Sequence, residues 1–264
     1  MITIINNDEM KISVSKSFTE NDDTPDKRSL SDYILEKTKE RFDFYRKLFN
    51  KEKLDKIEFM LFDDYEEWKE FYISRNHREP PEYSRGCFES ENNLCYSVQK
   101  SGVLYSTPLW FHTISTNAHE AFHIYYKKYI YKDDRVVWFD EGLAQYLSGE
   151  DDLWINNEER LNSVFLEFYD NYKEITNLND RIQGNSSIPD DLIFLRKGVF
   201  DGYKMSLLAM KYLDSKYGIS YIKELMKDNK KVREIGTTII NDMIEYYKER
   251  FNIKDRKWWF KAHY

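Results

Sequence analysis

Hydrophobic and polar positions change period several times along the chain, and each change marks an element. Residues 1–16 alternate weakly, with Ile2 and Ile4 and then Met10, Ile12 and Val14, which is the pattern of a short β-hairpin. Residues 17–29 are rich in Ser, Asp, Asn and Lys and read as a linker, so residues 1–28 are expected to form a hairpin and linker ahead of one domain, 29–264. From Ser29 to Phe49, Tyr33, Ile34, Phe42, Tyr45 and Leu48 fall at helical spacing. Alternation returns at Ile57, Phe59 and Leu61, a strand. Asp63 or Asp64 then caps a helix to about Ser74, with Trp68, Phe71 and Tyr72 on its inner face. Tyr83 to Gln99 reads as two short strands around a turn at Glu91-Asn92-Asn93.

The next segment, from about Pro108 to Tyr131, is apolar and aromatic on most sides, as in a helix buried at the centre of a domain. Thr107 supplies a capping hydroxyl and Pro108 suits the first helical position. A polar break at residues 131–135 is followed by Val136 to Leu147, an extended return entering a second helix. Farther on, residues 151–176 read as a helix burying Leu161, Val164, Phe165 and Tyr169, and residues 177–189 as a polar loop. A helix through Tyr203 stops at Gly218, and Ile219–Asp228 and Val232–Phe251 read as two more amphipathic helices. The sum is an α+β fold, mostly helical. Its small sheet and upstream helices occupy 29–106, the two central helices 107–150 and a helical remainder 151–264.

Composition narrows the class. With 264 residues, 41% hydrophobic and 33% charged, the chain can bury a full core, and no apolar run approaches the ~20 residues of a membrane span. The start has no basic segment, sustained apolar stretch or small-residue cleavage site, so a cytoplasmic location is expected unless a signal has been lost. Forty Lys and Arg against 47 Asp and Glu, without long blocks of one sign, argue against nucleic-acid or anionic-membrane partners. Cys87 and Cys95 would face each other if the two strands formed a hairpin turning near Glu91-Asn92. In a cytosolic chain they are expected to be reduced thiols.

The candidate chemistry lies in the central helix, at His119-Glu120-Ala121-Phe122-His123. Four residues advance about 400° and about 6 Å along a helix, so His119 and His123 look out from one face and can share one zinc ion. Glu120, about 100° further round, can reach a water on the same metal and act as its base. A third ligand has to return from beyond the helix. Glu141 is in reach for a His2Glu site with one open position, although its place early in a helix also suits the helix dipole, and Asp140 is equally eligible on that ground. His112, seven residues before His119, is expected to be core or to support a ligand.

Three stretches together resemble the gluzincin metallopeptidases, in particular the peptidase MA-like group and the large zinc aminopeptidases. They are residues 119–123, Trp138-Phe139-Asp140-Glu141-Gly142-Leu143-Ala144, and the segment from Gly202 to Leu213. The resemblance spans roughly residues 83–230 and implies a zinc peptidase with a sheet edge strand beside the zinc-site helix. It implies His119, His123 and Glu141 as metal ligands and Glu120 as general base. Tyr203 would hydrogen-bond the tetrahedral intermediate; without the resemblance it reads as a core-helix aromatic. Gly86-Cys87-Phe88-Glu89-Ser90 resembles the aminopeptidases' G-x-M-E-N substrate-binding strand, with Phe for Met and Ser for Asn. It implies Gly86 and Glu89 as substrate-binding residues, Glu89 holding a free amino terminus in an aminopeptidase. An edge strand that takes a peptide backbone without that meaning is the preferred reading, which makes the chain an endopeptidase, and the aminopeptidase is the alternative. From another class, a zinc-containing binding or regulatory protein would need the ligands and not the base.

Overall fold

The computed structural model describes residues 1–20, 24–81, 84, 86–98, 109–149, 155, 157–175, 188–197 and 200–253. The chain divides into two compact units, one comprising residues 1–135 and 147–150 and the other 136–146 and 151–264.

The first unit is built on a five-stranded mixed sheet. Its strands are β1 (Ile2–Asn6), β2 (Met10–Val14), β3 (Ile57–Phe62), β4 (Gly86–Glu89) and β5 (Leu94–Val98), in the order β1-β2-β3-β5-β4. The expected N-terminal hairpin forms, and β2 also pairs in parallel with β3, residue Met10 facing Ile57. Within residues 17–29, read as a linker, Ser17–Glu20 forms one helical turn, α1. Helix α2 (Leu30–Phe49) starts at Ser29, whose hydroxyl accepts from the Asp32 N–H, and ends at Asn50 in the left-handed conformation. Helix α3 (Tyr65–Asn76) is capped in the same way by Asp64.

Strand parity decides what each face of the sheet meets. Phe62, Leu94, Tyr96 and Val98 pack with Trp68 and Tyr72 of α3, and Met60 and Cys87 join that cluster. The residues between them look the other way. Phe59 meets Phe42 of α2 edge-on, with ring centroids 6.0 Å apart. Ser97 lies beside Asn117 of α4 (Leu109–Tyr126). Tyr45 locks α2 to α4 by donating to the Ala118 carbonyl at 2.8 Å and packing on Phe122. The sheet is thus sandwiched between α3 on one face and α2 and α4 on the other.

This register corrects the expectation for the cysteines. Cys87 stands opposite Tyr96, and Cys95 opposite Phe88. The two thiols therefore point to opposite faces of the sheet, which rules out a bridge between them. Helix α4 continues through one π-helical turn, Lys127–Tyr131, and stops at Lys132, whose φ is 56°.

Helix α5 (Val137–Ser148) begins sooner than the sequence pattern suggests. Where an extended return was expected to lead into the helix, the Asp140 N–H already donates to the Val136 carbonyl. The second unit adds α6 (Glu158–Ile175), α7 (Ile188–Leu192), a two-stranded hairpin of β6 (Arg196–Lys197) with β7 (Phe200–Asp201), and α8 (Gly202–Tyr217). Helices α9 (Ile219–Leu225), α10 (Asn229–Gly236) and α11 (Ile239–Arg250) complete it. Leu161, Val164 and Phe165 of α6 are buried as expected, whereas Tyr169 is half-buried and Phe168 is buried. Helix α8 is buried from Met205 to Met210 and ends at Gly218, which has φ 81°. The single helix expected over 232–251 is two helices. Gly236, Thr237 and Thr238 are poor helix formers, and both threonine hydroxyls bond back to carbonyls, of Glu234 and Ile235. Among the described residues no helix is long and apolar enough to cross a membrane. The cap expected at Thr107-Pro108, the side chain of His112, the loop 177–187 and the tail 254–264 lie outside the described residues.

Candidate metal centre

Helix α4 is buried around its circumference from Ala121 to Tyr126, so its two histidines reach the interior with the helix itself. His119 is 8% exposed and His123 1%. Their Nε2 atoms point at each other across 3.0 Å. Two nitrogens on one tetrahedral ion, each at about 2.0–2.1 Å, would stand about 3.3 Å apart, so a few tenths of an ångström separates this pair from a ligand geometry. The ligating atoms of His119, His123 and Glu141 all lie within 4.8 Å of one another, and all three residues are buried. This His-His-Glu group could hold a metal ion. Asp140 is fully buried and does not belong to the group.

The edge strand matches α4 step for step. Two strand residues advance about 6.6 Å and four helix residues about 6 Å, so alternate residues of β4 meet successive turns of α4. A Cβ on Gly86 would lie 2.8 Å from Glu120 Oε1 and equally close to Thr116 Cγ2, so the carboxylate of Glu120 occupies space that only glycine leaves open. Phe88 stacks on the His123 ring, centroids 5.0 Å apart and planes 24° apart. Both departures from the resembling strand motif, Phe88 and Ser90, are contacts of this kind, since Ser90 accepts from Lys127 at 2.9 Å.

Glu89 has the other parity. Its carboxylate takes two hydrogen bonds from Arg75 of α3, at 2.9 and 2.5 Å, on the face of the sheet away from Gly86 and Phe88. Arg75 holds its pKa below the ordinary carboxylate value. Of the two residues singled out on this strand, Gly86 lies against Glu120 and Glu89 does not. The thiols on either face stay protonated at neutral pH, because burial, reinforced by the charge of Glu120, pushes Cys87 up to about 11 and Cys95 well above its usual value.

Glu141 is positioned by its own unit. The free N–H of Trp138 in the first turn of α5 donates to Asp190 Oδ1 at 2.6 Å, a carboxylate at the positive end of the helix. Gly142 lets α5 approach α8 closely: a Cβ there would be 2.9 Å from the Ser206 carbonyl oxygen. Gln145, one turn beyond Glu141, donates to the Glu141 carbonyl at 3.2 Å and to the Tyr203 carbonyl at 2.9 Å. Tyr203 sits half-buried in the first turn of α8, with its N–H on Asp201 and its ring edge-on to Phe194.

No protein-family model matches the chain, and no curated protein matches it.

Sequence reasoning missed Asp190, Gln145 and Gly142. A glycine inside a helical pattern, next to a candidate ligand, is a signal of close packing that was available. Asp190 gave none, because it lies 52 residues from the N–H it caps.

Proposed function

We propose that the chain is a zinc-dependent metallopeptidase of the gluzincin type that cuts peptide bonds internally. The observation that carries this reading is the buried His119, His123 and Glu141 group with a carboxylate, Glu120, on the same helix turn. Two imidazoles and one carboxylate are the donor set of a catalytic zinc site, and they leave one position for water or substrate. Bound there, zinc would supply Lewis acidity toward a carbonyl oxygen and lower the pKa of water. Glu120 takes the proton of the attacking water and passes it to the leaving amine. The Tyr203 hydroxyl donates to the oxyanion as it develops. The substrate, a peptide or protein, pairs its backbone with the outer edge of β4 over residues 86–90, as the last strand of a sheet allows.

The pairing of Glu89 with Arg75 supports internal cleavage over an aminopeptidase, since a free amino terminus would have to displace a two-bond arginine contact. Glu120 supports a catalyst over a purely zinc-containing binding protein, which needs no base. A reducing cytoplasmic setting suits two cysteines on opposite faces of a sheet. The test is a peptide library digested by the zinc-loaded chain and resolved by product termini. Internal cuts by the wild type and none by Glu120→Gln are expected. Absence of cleavage in both, or equal cleavage by both, would refute the reading.

A further inference from the structure

We propose that Lys127 makes the site prefer an acidic substrate side chain two residues from the bond that is cut. The inference rests on the peptidase reading above and adds the substrate class. Lys127 continues the row of His119 and His123 at four-residue spacing, one turn past His123. Across from that row, β4 presents Gly86 to Glu120 and Phe88 to His123, and Ser90 follows opposite Lys127. A peptide extended along β4 advances at the same pitch, so a residue two places from the reacting carbonyl lies about 6.6 Å along, level with Lys127.

Beside Lys127 there is room for a side chain. A hollow of about 350 Å³ opens next to Ser90, Ile124 and Lys127, with Asn93, Lys128, Lys132, Glu91 and Asp133 also around it. The charges differ in kind. Glu91, Lys128, Lys132 and Asp133 are exposed, two of each sign, and Lys128 is already paired with Asp55 at 3.1 Å. Lys127 is half-buried, and among the described residues its ammonium has one partner, the neutral hydroxyl of Ser90. A partly desolvated cation without a counter-charge gains most from an incoming carboxylate, and an exposed, balanced rim adds little to that choice.

The test uses the full zinc-loaded chain and fluorescein-labelled, alanine-rich octapeptides carrying Glu, Ala or Lys at successive positions. Affinity is read by anisotropy in a Glu120→Gln background, and cleavage in parallel with an intact Glu120. One position should prefer Glu over Ala by about fivefold, with Lys weakest. The preference should disappear in Lys127→Ala, survive in Lys127→Arg and shrink as salt is raised. Equal affinity for the three peptides at every position, or a preference untouched by Lys127→Ala, would overturn the proposal. Preference without cleavage would keep Lys127 as an acid-recognising residue and remove the peptidase reading. Cleavage without preference would remove Lys127 alone.

Discussion

Replacing Gly86 by alanine tests whether the carboxylate of Glu120 is held in place by the absence of a side chain on β4. The new Cβ would come within 2.8 Å of both Glu120 Oε1 and Thr116 Cγ2, about 0.6 Å short of the 3.4 Å at which ordinary contact begins. Thr116 is β-branched and on a helix, where its rotamer has little freedom. Glu120 has three torsions and is the group that gives way. A displacement of 1 Å at a reacting group costs about 10²-fold in rate, so 0.6 Å should lower kcat roughly 10- to 30-fold. The imidazoles are not touched, and metal content should stay at the wild-type level. Overpacking should also cost about 1–3 kcal/mol of stability, less than the usual reserve of about 5–15 kcal/mol. The assay is kcat on a quenched fluorescent peptide, with metal analysis and a urea melt of the same preparation. Wild-type kcat in a folded, metal-replete Gly86→Ala chain would refute the argument that β4 positions the base.

Three further outcomes are expected. Glu141→Ala should lose metal and Asp140→Ala should keep it, as read by metal analysis after dialysis, because Asp140 stands outside the His-His-Glu group. Tyr203→Phe should retain metal and melting behaviour while kcat falls by about 10²–10³, the effect of losing one preorganised donor; unchanged turnover would return Tyr203 to a packing role. Arg75 lowers the pKa of Glu89 in the folded chain, so the stability this acid contributes is complete above its unfolded value of about 4.3 and is lost as pH falls through the lower folded value. Glu89→Gln should accordingly lower the urea midpoint near neutral pH and leave it unchanged in strong acid, with N-acetylated and free peptides cleaved alike.

The parts of the fold legible in sequence are those fixed within a few residues. Of the two acids eligible to cap α3, Asp64 does so, Gly218 ends α8, and His119 and His123 are brought together by helix pitch alone. What was not legible depends on partners far along the chain. The parallel pairing of β2 with β3 leaves no mark on local alternation. The early start of α5 follows the carboxylate of Asp190, supplied from α7. The parity of β4 is set where Gly86 meets Glu120, and a shift of one residue would exchange the roles of Glu89 and Phe88 and bring Cys87 opposite Cys95. Thus Glu141 could be placed within reach of the histidines from chain length, and the resemblance already preferred it to Asp140.

The central claim is that His119, His123 and Glu141 form one metal site, and metal analysis of the purified chain tests it most directly. Wild type should carry roughly one zinc per chain, and His119→Ala and His123→Ala should each carry almost none while their circular dichroism stays that of the folded protein. Metal content unchanged by both substitutions would contradict the claim.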